Sequence, residues 1–451
     1  MKFLIKILFT ILLFSNLISA QGTEKLVIVG DSLIGTVTNG ESIRRILGDV
    51  VITQGNIRIT CDIAIQHIAK NNAELFGNVV VTQDSITMFG KRGFYFGNTK
   101  TAYSDSGVIM NDGHVILRAE KGYYYSNEKR AYFYDNVELF DSISTLYSDR
   151  LYYFNNENKA VAVGRVFIAD STSVINADSL ISFRKTNTTF AFGNVKVQNP
   201  ESDFNITGNK LENYGQKKFS HVTEHPILTK IDTAKNGEID TLLMSAKSMM
   251  FFQDTSQKLV AEDSVLIVRG NFSSRNNHTI FYKNKGKIFT FKKENELRQP
   301  ILWFDNSQLL GDSIYISLKN NVLDFIKIVK NASAFSENKS YEFRYDQVSG
   351  DTLTLNFKNE HISQMKIIGR VLSIYYVFDD TKPNGLVKVS SERAIISFAN
   401  NKVTGINMYG EPNSEYHPEV LVKGKERDFT LPSFIIYKNK PTKQMITKQR
   451  K

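Results

Sequence analysis

Two short motifs contain residue types that could carry out hydrolytic chemistry. The first is Val-Gly-Asp-Ser-Leu at residues 29–33, which in some hydrolases presents a nucleophilic serine, here Ser32. Such a serine needs a histidine that accepts its proton and a carboxylate that orients the histidine, and those hydrolases supply both as Asp-x-x-His. None of the seven histidines has an aspartate three residues before it, and Asp-Ser occurs seven more times in the chain. We therefore interpret the motif as a turn and not as a nucleophile.

The second motif is His-x-x-Glu-His at residues 221–225, the pattern of an inverted zinc-protease site. Zinc needs both histidines on one helical face, whereas Pro226 follows at once and the flanking residues indicate strand and loop. The single cysteine, Cys61, excludes an internal disulfide and a cysteine-based zinc site, and we expect a buried, unreactive thiol. The sequence thus predicts no catalytic residue, no metal site, no cofactor and no enzyme activity.

The first 20 residues have the layout of a secretory signal peptide. Lys2 and Lys6 precede an apolar run at residues 7–14, and small residues follow at positions 19 and 20. The run is shorter than the roughly 20 apolar residues that span a bilayer, although a membrane anchor is the alternative. Removing 20 of the 451 residues leaves 431, and the loss of two lysines lowers the net charge from +10 to +8. We therefore expect a soluble mature chain outside the cytoplasm.

A repeat with a constant period of 29 residues organises the first half of the chain. Its six units start at Gly48, Gly77, Ser106, Asp135, Gly164 and Gly193. Two and four residues after each start stands an apolar residue, a spacing that puts both on one face of a strand. These twelve residues are Val50, Ile52, Val79, Val81, Val108, Met110, Val137, Leu139, Val166, Ile168, Val195 and Val197. A constant period indicates that the units stack, each on its neighbours.

The first five units also predict a second strand, with large residues two positions apart. The pairs are Ile65 and His67, Phe94 and Phe96, Tyr123 and Tyr125, Tyr152 and Phe154, and Ile181 and Phe183. A small residue follows near the end of each unit, at Ala73, Ala102, Ala131, Ala160 and Thr189. No proline precedes Pro200, which fits an uninterrupted ladder because proline removes a backbone donor. We expect a nearly all-β chain in which apolar faces on both strands line one trough.

The repeat becomes less regular beyond its sixth unit. We expect a first array at residues 21–220, a connection at 221–240 and a second array at 241–425, followed by a basic tail at 426–451. From Lys438 onward the tail has six basic residues and no acidic one, which is typical of an unstructured segment. Elsewhere the basic residues are dispersed among acidic ones, so we expect no nucleic-acid binding.

The repeated Gly-Asn-Val-x-Val unit resembles the OstA-like proteins. This family includes the periplasmic bridge of lipopolysaccharide transport and the periplasmic part of its outer-membrane translocon. The resemblance is carried by residues 77–81 and 193–197, by degenerate copies at 135–137 and 164–166, and by residues 300–314 in the second array. It implies an open β-jellyroll of stacked antiparallel strands, here in two repeat arrays. In the residues given we expect no large domain of the kind that forms a translocon's membrane barrel.

The resemblance also implies a function. We expect a non-enzymatic periplasmic scaffold that binds lipopolysaccharide or a similar glycolipid and helps carry it toward the outer membrane. The twelve residues that follow the repeat starts are the candidate lipid-binding groove. Expected partners are other lipopolysaccharide-transport proteins, joined by edge-strand pairing, and further copies of the chain. Two alternatives stay open: the twelve residues form a dry, closed core, or the protein is a structural or adhesive β-solenoid without lipid cargo.

Overall fold

The computed structural model describes residues 24–171, 173–198, 204–233, 239–319, 322–338, 340–358, 361–399 and 402–448. The predicted signal peptide at residues 1–20 lies outside these residues. The chain divides into two compact units, residues 1–131 and 132–451. The division into arrays that we infer from the sequence, at residues 21–220 and 241–425, remains a prediction. Among the described residues no helix is long and apolar enough to cross a membrane.

The first unit consists of antiparallel strands. They are β1 Val27–Val29, β2 Ser32–Thr38, β3 Glu41–Gln54, β4 Ile57–His67, β5 Asn72–Gln83, β6 Ile86–Phe96, β7 Thr101–Ser104, β8 Val108–Asn111, β9 Ile116–Ala119 and β10 Lys121–Tyr125. Strands β3 to β6 pair in chain order. Strand β6 then pairs with both β7 and β8, because a break at residues 105–107 divides one strand position in two.

The second unit consists of antiparallel strands as well. Its strands are β11 Arg130–Phe140, β12 Thr145–Phe154, β13 Lys159–Ala169, β14 Val174–Phe183, β15 Thr188–Gln198, β16 Phe204–Tyr214, β17 Phe219–Thr223, β18 Ile227–Thr233, β19 Ile239–Ser245, β20 Ser248–Phe252, β21 Lys258–Arg269, β22 Phe272–Tyr282, β23 Lys287–Phe291, β24 Ile301–Phe304, β25 Ser307–Leu310, β26 Ser313–Lys319, β27 Val322–Glu337, β28 Tyr345–Lys358, β29 His361–Asp379, β30 Lys382–Ala399, β31 Lys402–Tyr409 and β32 Asn413–Pro418. Two short helices, α1 Glu419–Val422 and α2 Lys443–Lys448, follow. The segment expected to be a connection, residues 221–240, contains β18, which pairs with β16 and β19.

Most long strands bend at a register shift, and in β3, β5, β13 and β15 the bend lies where a sequence repeat starts. In β5 the bend is at Gly77 and Asn78, whose φ angles are 72° and 42°. Glycine and asparagine tolerate this left-handed backbone better than other residues. The pairing register shifts at the bend, so residues 72–76 and residues 79–83 of β5 belong to two separate ladders. We call the ladder that contains residues 72–76 ladder 1 and the ladder that contains residues 79–83 ladder 2, and the same division recurs along the second unit.

In each unit the two ladders face each other across an apolar core. In the first unit a cavity of about 20 Å³ lies between them, lined by Leu75 and Ala102 of ladder 1 and by Val81 and Met88 of ladder 2. In the second unit one core cluster likewise joins residues from both sides of the bends in β21, β27, β28 and β29. The fold predicted from the sequence, an all-β jellyroll of stacked antiparallel strands, is confirmed.

The large residues of the predicted second strands face away from this core. In β6 the buried positions are 86 and 88 before the bend and 93 and 95 after it, so Tyr95 points inward while Phe94 and Phe96 are half-buried on the opposite face. The inward positions 88 and 93 of β6 are an odd number of residues apart, so every side chain after the bend lies on the face opposite to the one that unbroken alternation predicts. Our expectation that these pairs line the trough is therefore wrong, and Tyr95, Tyr124 and Tyr153 take their place.

The small residue near the end of each repeat makes room for these inward tyrosines. Ala102 lies directly opposite Tyr95 on one neighbouring strand and Tyr124 on the other. Ala73 and Ala160 occupy the same position beside Tyr95 and Tyr153. A larger side chain in this close-packed layer would displace a ring, which explains why the repeat keeps a small residue here.

The C-terminal segment, residues 419–448, packs against the outer face of ladder 2 in the second unit, and we call it the C-terminal strap. Strand β24 is buried on both faces: Leu302 lies in the core between the ladders, whereas Trp303 packs with Phe434 and Ile436 of the strap. Burial on both faces accounts for the unbroken apolar run of this strand. Where the basic composition indicates an unstructured tail, the structure therefore has an ordered segment up to Lys448.

Two glutamines hold the strap through its backbone. The amide of Gln308 donates to the carbonyl of Ile435 at 2.6 Å, and its oxygen accepts from the N–H of Tyr437 at 2.8 Å. The amide of Gln347 binds the carbonyl of Phe429 and the N–H of Leu431 in the same way, at 3.1 and 2.9 Å. Each glutamine thus satisfies two backbone groups that a neighbouring strand would otherwise pair.

Candidate functional site

The twelve candidate groove residues all lie in ladder 2, directly after the bends. Those of the first unit are Val50, Ile52, Val79, Val81, Val108 and Met110, with exposed fractions of 0–6%. In the second unit Val137, Leu139, Val166 and Val195 are at most 7% exposed, and Ile168 and Val197 are half-buried. Within each unit the structure thus brings the candidates together as a single inward row. A lipid that contacts them has to enter between the two ladders.

The opposite wall is formed by ladder 1, whose inward residues the sequence reasoning missed. In the first unit they include Leu75, Tyr95 and Tyr124, and in the second unit Phe133 and Leu151, all of them buried. Around β5 to β8 of the first unit, the cavity of about 20 Å³ between the walls holds little more than one water molecule. An acyl chain can therefore occupy this part of the interior only when the ladders separate.

Hydrogen bonds between tyrosines and glutamines join the far ends of the two ladders in the first unit. The hydroxyl of Tyr95 donates to Oε1 of Gln54 at 2.7 Å, and that of Tyr124 donates to Oε1 of Gln83 at 2.7 Å. Burial raises the pKa of both tyrosines, so both remain donors. The glutamines end β3 and β5, at the edge of ladder 2 that is farthest from the bends. The sequence contains a signal of these hydrogen bonds, because the two glutamines are 29 residues apart and so are the two tyrosines.

Aspartates that precede the bends explain the recurring acidic positions of the sequence. The side chain of Asn78 donates to Asp62 at 3.0 Å, and that of Asn194 donates to Asp178 at 2.9 Å. A Cβ atom on Gly77 would collide with the carboxylate of Asp62, so this position needs glycine for its space as well as for its φ angle. The acid and the residue after the glycine are 16 positions apart, and together they fix the bend.

The serine of the hydrolase-like motif belongs to such a bend. The N–H of Asp31 donates to the carbonyl of Gly48 at 3.1 Å, and a Cβ atom on Gly48 would collide with the carboxylate of Asp31. Ser32 is simply the first residue of β2. The aspartate of this motif therefore has the structural role that Asp62 has one repeat later, in agreement with our interpretation of the motif as a turn.

The remaining chemical candidates occupy structural positions as well. His221 lies on β17 with its Nε2 2.8 Å from the hydroxyl of Ser248, whereas His225 lies at a bend with φ of 64°. The two histidines thus do not share a helical face, and the described residues contain no cluster of three or more potential metal ligands. Cys61 is buried, and burial raises the pKa of its thiol to about 11. A thiol that stays protonated at neutral pH is a weak nucleophile.

The architecture is that of a repeat protein with two facing ladders. The chain belongs to the OstA-like family, because the family model described as OstA-like protein matches residues 25–161 and, a second time, residues 150–294. The family resemblance inferred from the sequence is thereby confirmed. No curated protein matches the chain.

A search of solved structures finds a bacterial protein that is similar to part of this chain. It is the crystal structure of LptH from Pseudomonas aeruginosa, described as the LptA homologous periplasmic component of the conserved lipopolysaccharide transport device. The two chains share 19% identity over 30% of this chain and 82% of LptH, with a TM-score of 0.17.

Proposed function

We propose that this protein is a non-enzymatic periplasmic scaffold that binds the acyl chains of a lipopolysaccharide-like glycolipid between its two ladders and helps carry the lipid toward the outer membrane. The observation that supports this proposal is the inward apolar row on ladder 2, faced by a second apolar ladder, in a member of the OstA-like family. Four described residues could suggest catalysis, and each lies in a strand, a bend or the core: Ser32, His221, His225 and Cys61.

The energetics favour acyl-chain binding once the ladders separate. Burying a hydrocarbon chain stabilises a complex by about 0.8 kcal/mol per CH2 group, so a chain of about 12 carbons contributes roughly 10 kcal/mol. Each tyrosine–glutamine hydrogen bond that must open contributes only about 1 kcal/mol net. The larger cost is loss of contact between the apolar walls, and the acyl chain replaces that contact.

The edges of the two units offer surfaces for the proposed partners. In the described part of the first unit, β1 and β2 pair with β3 alone, and Leu33 and Val37 are 56% and 74% exposed. Among the described residues of the second unit, β31 and β32 pair with β30 alone, and Tyr416 is 52% exposed. Edge strands of this kind present backbone groups to another chain. The proposed partners are other lipopolysaccharide-transport proteins and further copies of this chain.

Photo-crosslinking in cells tests the proposed lipid site. A photoreactive amino acid at Val108 in the first unit or at Val137 in the second should capture lipid, since both side chains point between the ladders. The same amino acid at Tyr147, which is 45% exposed on the outer face of ladder 2, is the matched control and should capture none. Failure to capture lipid at Val108 and Val137 would exclude the interior as the lipid site. Normal surface lipopolysaccharide after depletion of the protein would exclude the transport role.

The alternative function is that of a structural or adhesive β-solenoid without lipid cargo. The closed interior of the first unit favours it, because the cavity between the ladders measures only about 20 Å³. The two functions predict different responses of the protein to lipid. A scaffold that carries lipid should bind an acyl chain and then lose its tyrosine–glutamine hydrogen bonds, whereas a solenoid should keep both bonds at every lipid concentration.

A further inference from the structure

Five turns at the far end of ladder 1 form a continuous row in the second unit. They are residues 155–158, 184–187, 215–218, 253–257 and 283–286, and we call them the turn ridge. From the second turn onward, a backbone N–H of each turn donates to a carbonyl group of the turn before it, at 2.8–3.2 Å. The donor and acceptor residues are Arg184 and Asn158, Gly215 and Asn187, Gln253 and Lys218, and Lys283 and Gln257. Neighbouring turns are two strands apart, or about 10 Å.

The turn ridge carries exposed lysines without a carboxylate partner. They are Lys185, Lys217, Lys218, Lys283 and Lys285. Among the described residues none of the five has an ion-pair partner. The two acidic residues of the ridge have contacts of their own, because Glu157 pairs with Lys159 at 3.2 Å and Asp254 accepts the N–H of Ser256 at 2.8 Å. The ridge therefore presents an excess of positive charge to the solvent.

The lysines at the corresponding turns of the first unit are all neutralised. The ion pairs are Lys70 with Glu41 at 3.2 Å, Lys100 with Glu24 at 3.0 Å and Lys129 with Asp84 at 2.6 Å. Asp84 lies in the turn after β5, at the far end of ladder 2, so its ion pair joins the two ladders. The same kind of turn thus holds the ladders of the first unit together and leaves its charge unused in the second.

The turn ridge lies beside the opening of the trough. The strands run through the bends without interruption, so the backbone closes the trough on that side, and the ladders end on the other side. Phe204 begins β16 at the far end of ladder 2, and its ring packs against the inward ring of Phe281 of ladder 1, with 6.2 Å between the centroids. Nζ of Lys283 lies 5.0 Å from the centre of the Phe204 ring. An amphiphile whose chain lies between the ladders therefore has its head group next to the ridge.

We propose that the turn ridge binds the phosphorylated head group of a lipid whose acyl chain lies between the ladders. Lys283 and Lys285 bind the phosphate oxygens through their ammonium groups, and the first carbons of the chain lie against Phe204. Lys217 and Lys218 form a second position of the same kind, two turns away. The inference rests on the proposed function and specifies the head group of the lipid that the trough takes.

Photo-crosslinking of the purified protein tests the head group. The probes are dodecyl phosphate, which is anionic, and dodecyl maltoside, which has the same chain and an uncharged head. With a benzoylphenylalanine in place of Phe204, half-maximal capture of dodecyl phosphate should need about tenfold less probe than that of dodecyl maltoside. Inorganic phosphate at the concentration of the probe should not compete, because it has no chain for the trough. Equal affinity for the two probes, or displacement by inorganic phosphate, would overturn the assignment.

Charge reversal tests the lysines. Lys283→Glu combined with Lys285→Glu should weaken capture of dodecyl phosphate about tenfold and leave capture of dodecyl maltoside unchanged. Lys327→Glu combined with Lys366→Glu is the matched control, because it changes the net charge equally. Both of these lysines are exposed on the outer face of ladder 1, opposite Thr354, and their reversal should weaken capture less than twofold. Equal losses in the two double variants would overturn the ridge as the head-group site.

Further results separate this inference from misfolding and from failure of the proposed function. Lys283→Arg combined with Lys285→Arg keeps both charges and should capture dodecyl phosphate as the native chain does. A loss as large as that of the glutamate variant would show that charge does not explain the binding, and would overturn the inference. Capture of both probes without preference would exclude the head-group site and leave the trough intact. Absence of capture of either probe at Phe204 and at Val137 would exclude the trough itself.

Discussion

The hydroxyl of Tyr124 donates a 2.7 Å hydrogen bond to the side-chain carbonyl of Gln83, and one repeat earlier Tyr95 bonds to Gln54 at the same distance. Both bonds connect the end of ladder 2 to the inner face of ladder 1. They lie where the two ladders would have to separate to admit a ligand. The same repeat therefore supplies the apolar residues of both ladders and the hydrogen bonds that hold the ladders together.

Tyr124→Phe should destabilise the first unit. The substitution leaves Oε1 of Gln83, a residue that is 6% exposed, without its donor, and an unsatisfied buried polar group costs about 1–3 kcal/mol. Urea denaturation of the purified protein measures the free energy of unfolding. Tyr147→Phe is the matched control, because its hydroxyl lies on the exposed face beside Glu138 at 3.3 Å, and it should leave the unfolding curve unchanged. Equal effects of the two variants would show that the buried bond contributes nothing.

Gly77→Ala should destabilise the first unit as well. A non-glycine residue at a φ of 72° costs about 1–2 kcal/mol, and the added methyl group also displaces the carboxylate of Asp62. Thermal unfolding followed by circular dichroism measures the effect. Gly35→Ala is the control, because no atom lies within 4 Å of a Cβ at Gly35, and it should not lower the melting temperature. A Gly77→Ala variant as stable as the native chain would show that the bend adapts.

The sequence predicts ladder 2 well and ladder 1 poorly, for a reason that the bends make clear. Val79 and Val81 follow a glycine–asparagine bend, and the strict alternation after that bend can be read directly. Tyr95 follows a bend of β6 across which the inward positions change from even to odd numbers, and such a change cannot be predicted from alternation alone. The inward face of ladder 1 therefore required the structure.

The C-terminal strap was hidden from the sequence because its partners are distant. Ile435 is bound by Gln308, 127 residues earlier, and neither residue belongs to a repeated motif. The lysines that follow the strap's apolar residues are typical of a solvated tail. The local composition therefore predicted an unstructured segment where the structure has an ordered one.

The partly buried carboxyl of Asp346 should make stability depend on pH. Burial raises its pKa to about 6, while the N–H of Tyr376 donates to it at 3.0 Å and lowers the pKa by a smaller amount. The unfolded chain has the lower pKa, about 3.9, and so binds fewer protons between pH 4 and pH 6. Through this group the stability therefore falls as the pH rises from 4 to 6, by roughly 2–3 kcal/mol, and is constant above that range.

Asp346→Asn isolates this contribution. The amide does not titrate, so the variant should become more stable relative to the native chain as the pH rises from 4 to 7. Chemical denaturation at each pH gives the difference in the free energy of unfolding, in which the titration of all other groups cancels. Asp351→Asn is the control, because this carboxylate is 48% exposed and pairs with Arg370, and it should give no such increase between pH 4 and pH 7. A flat difference for Asp346→Asn would show that its carboxyl titrates normally.

Arg344→Ala should release the C-terminal strap. The guanidinium is 3% exposed, donates to Glu419 at 2.7 and 3.0 Å, and donates to Glu426 at 3.1 Å, so it joins ladder 2 to the beginning of the strap. Removing one partner of a buried ion pair costs roughly 3 kcal/mol. Hydrogen exchange should accelerate at the N–H groups of Leu431 and Tyr437, which lose their acceptors once the strap leaves Gln347 and Gln308.

Two further variants show whether the release depends on this buried ion pair. Arg370→Ala removes a contact of 2.5 Å between an arginine and a carboxylate, that of Asp351, but this guanidinium is 84% exposed and its loss should leave hydrogen exchange in the strap unchanged. Arg344→Lys keeps the charge and loses the planar fork that binds both glutamates, so exchange should be intermediate. If the strap stays protected in Arg344→Ala, its apolar contacts, such as Phe434 against Trp303, are sufficient to hold it.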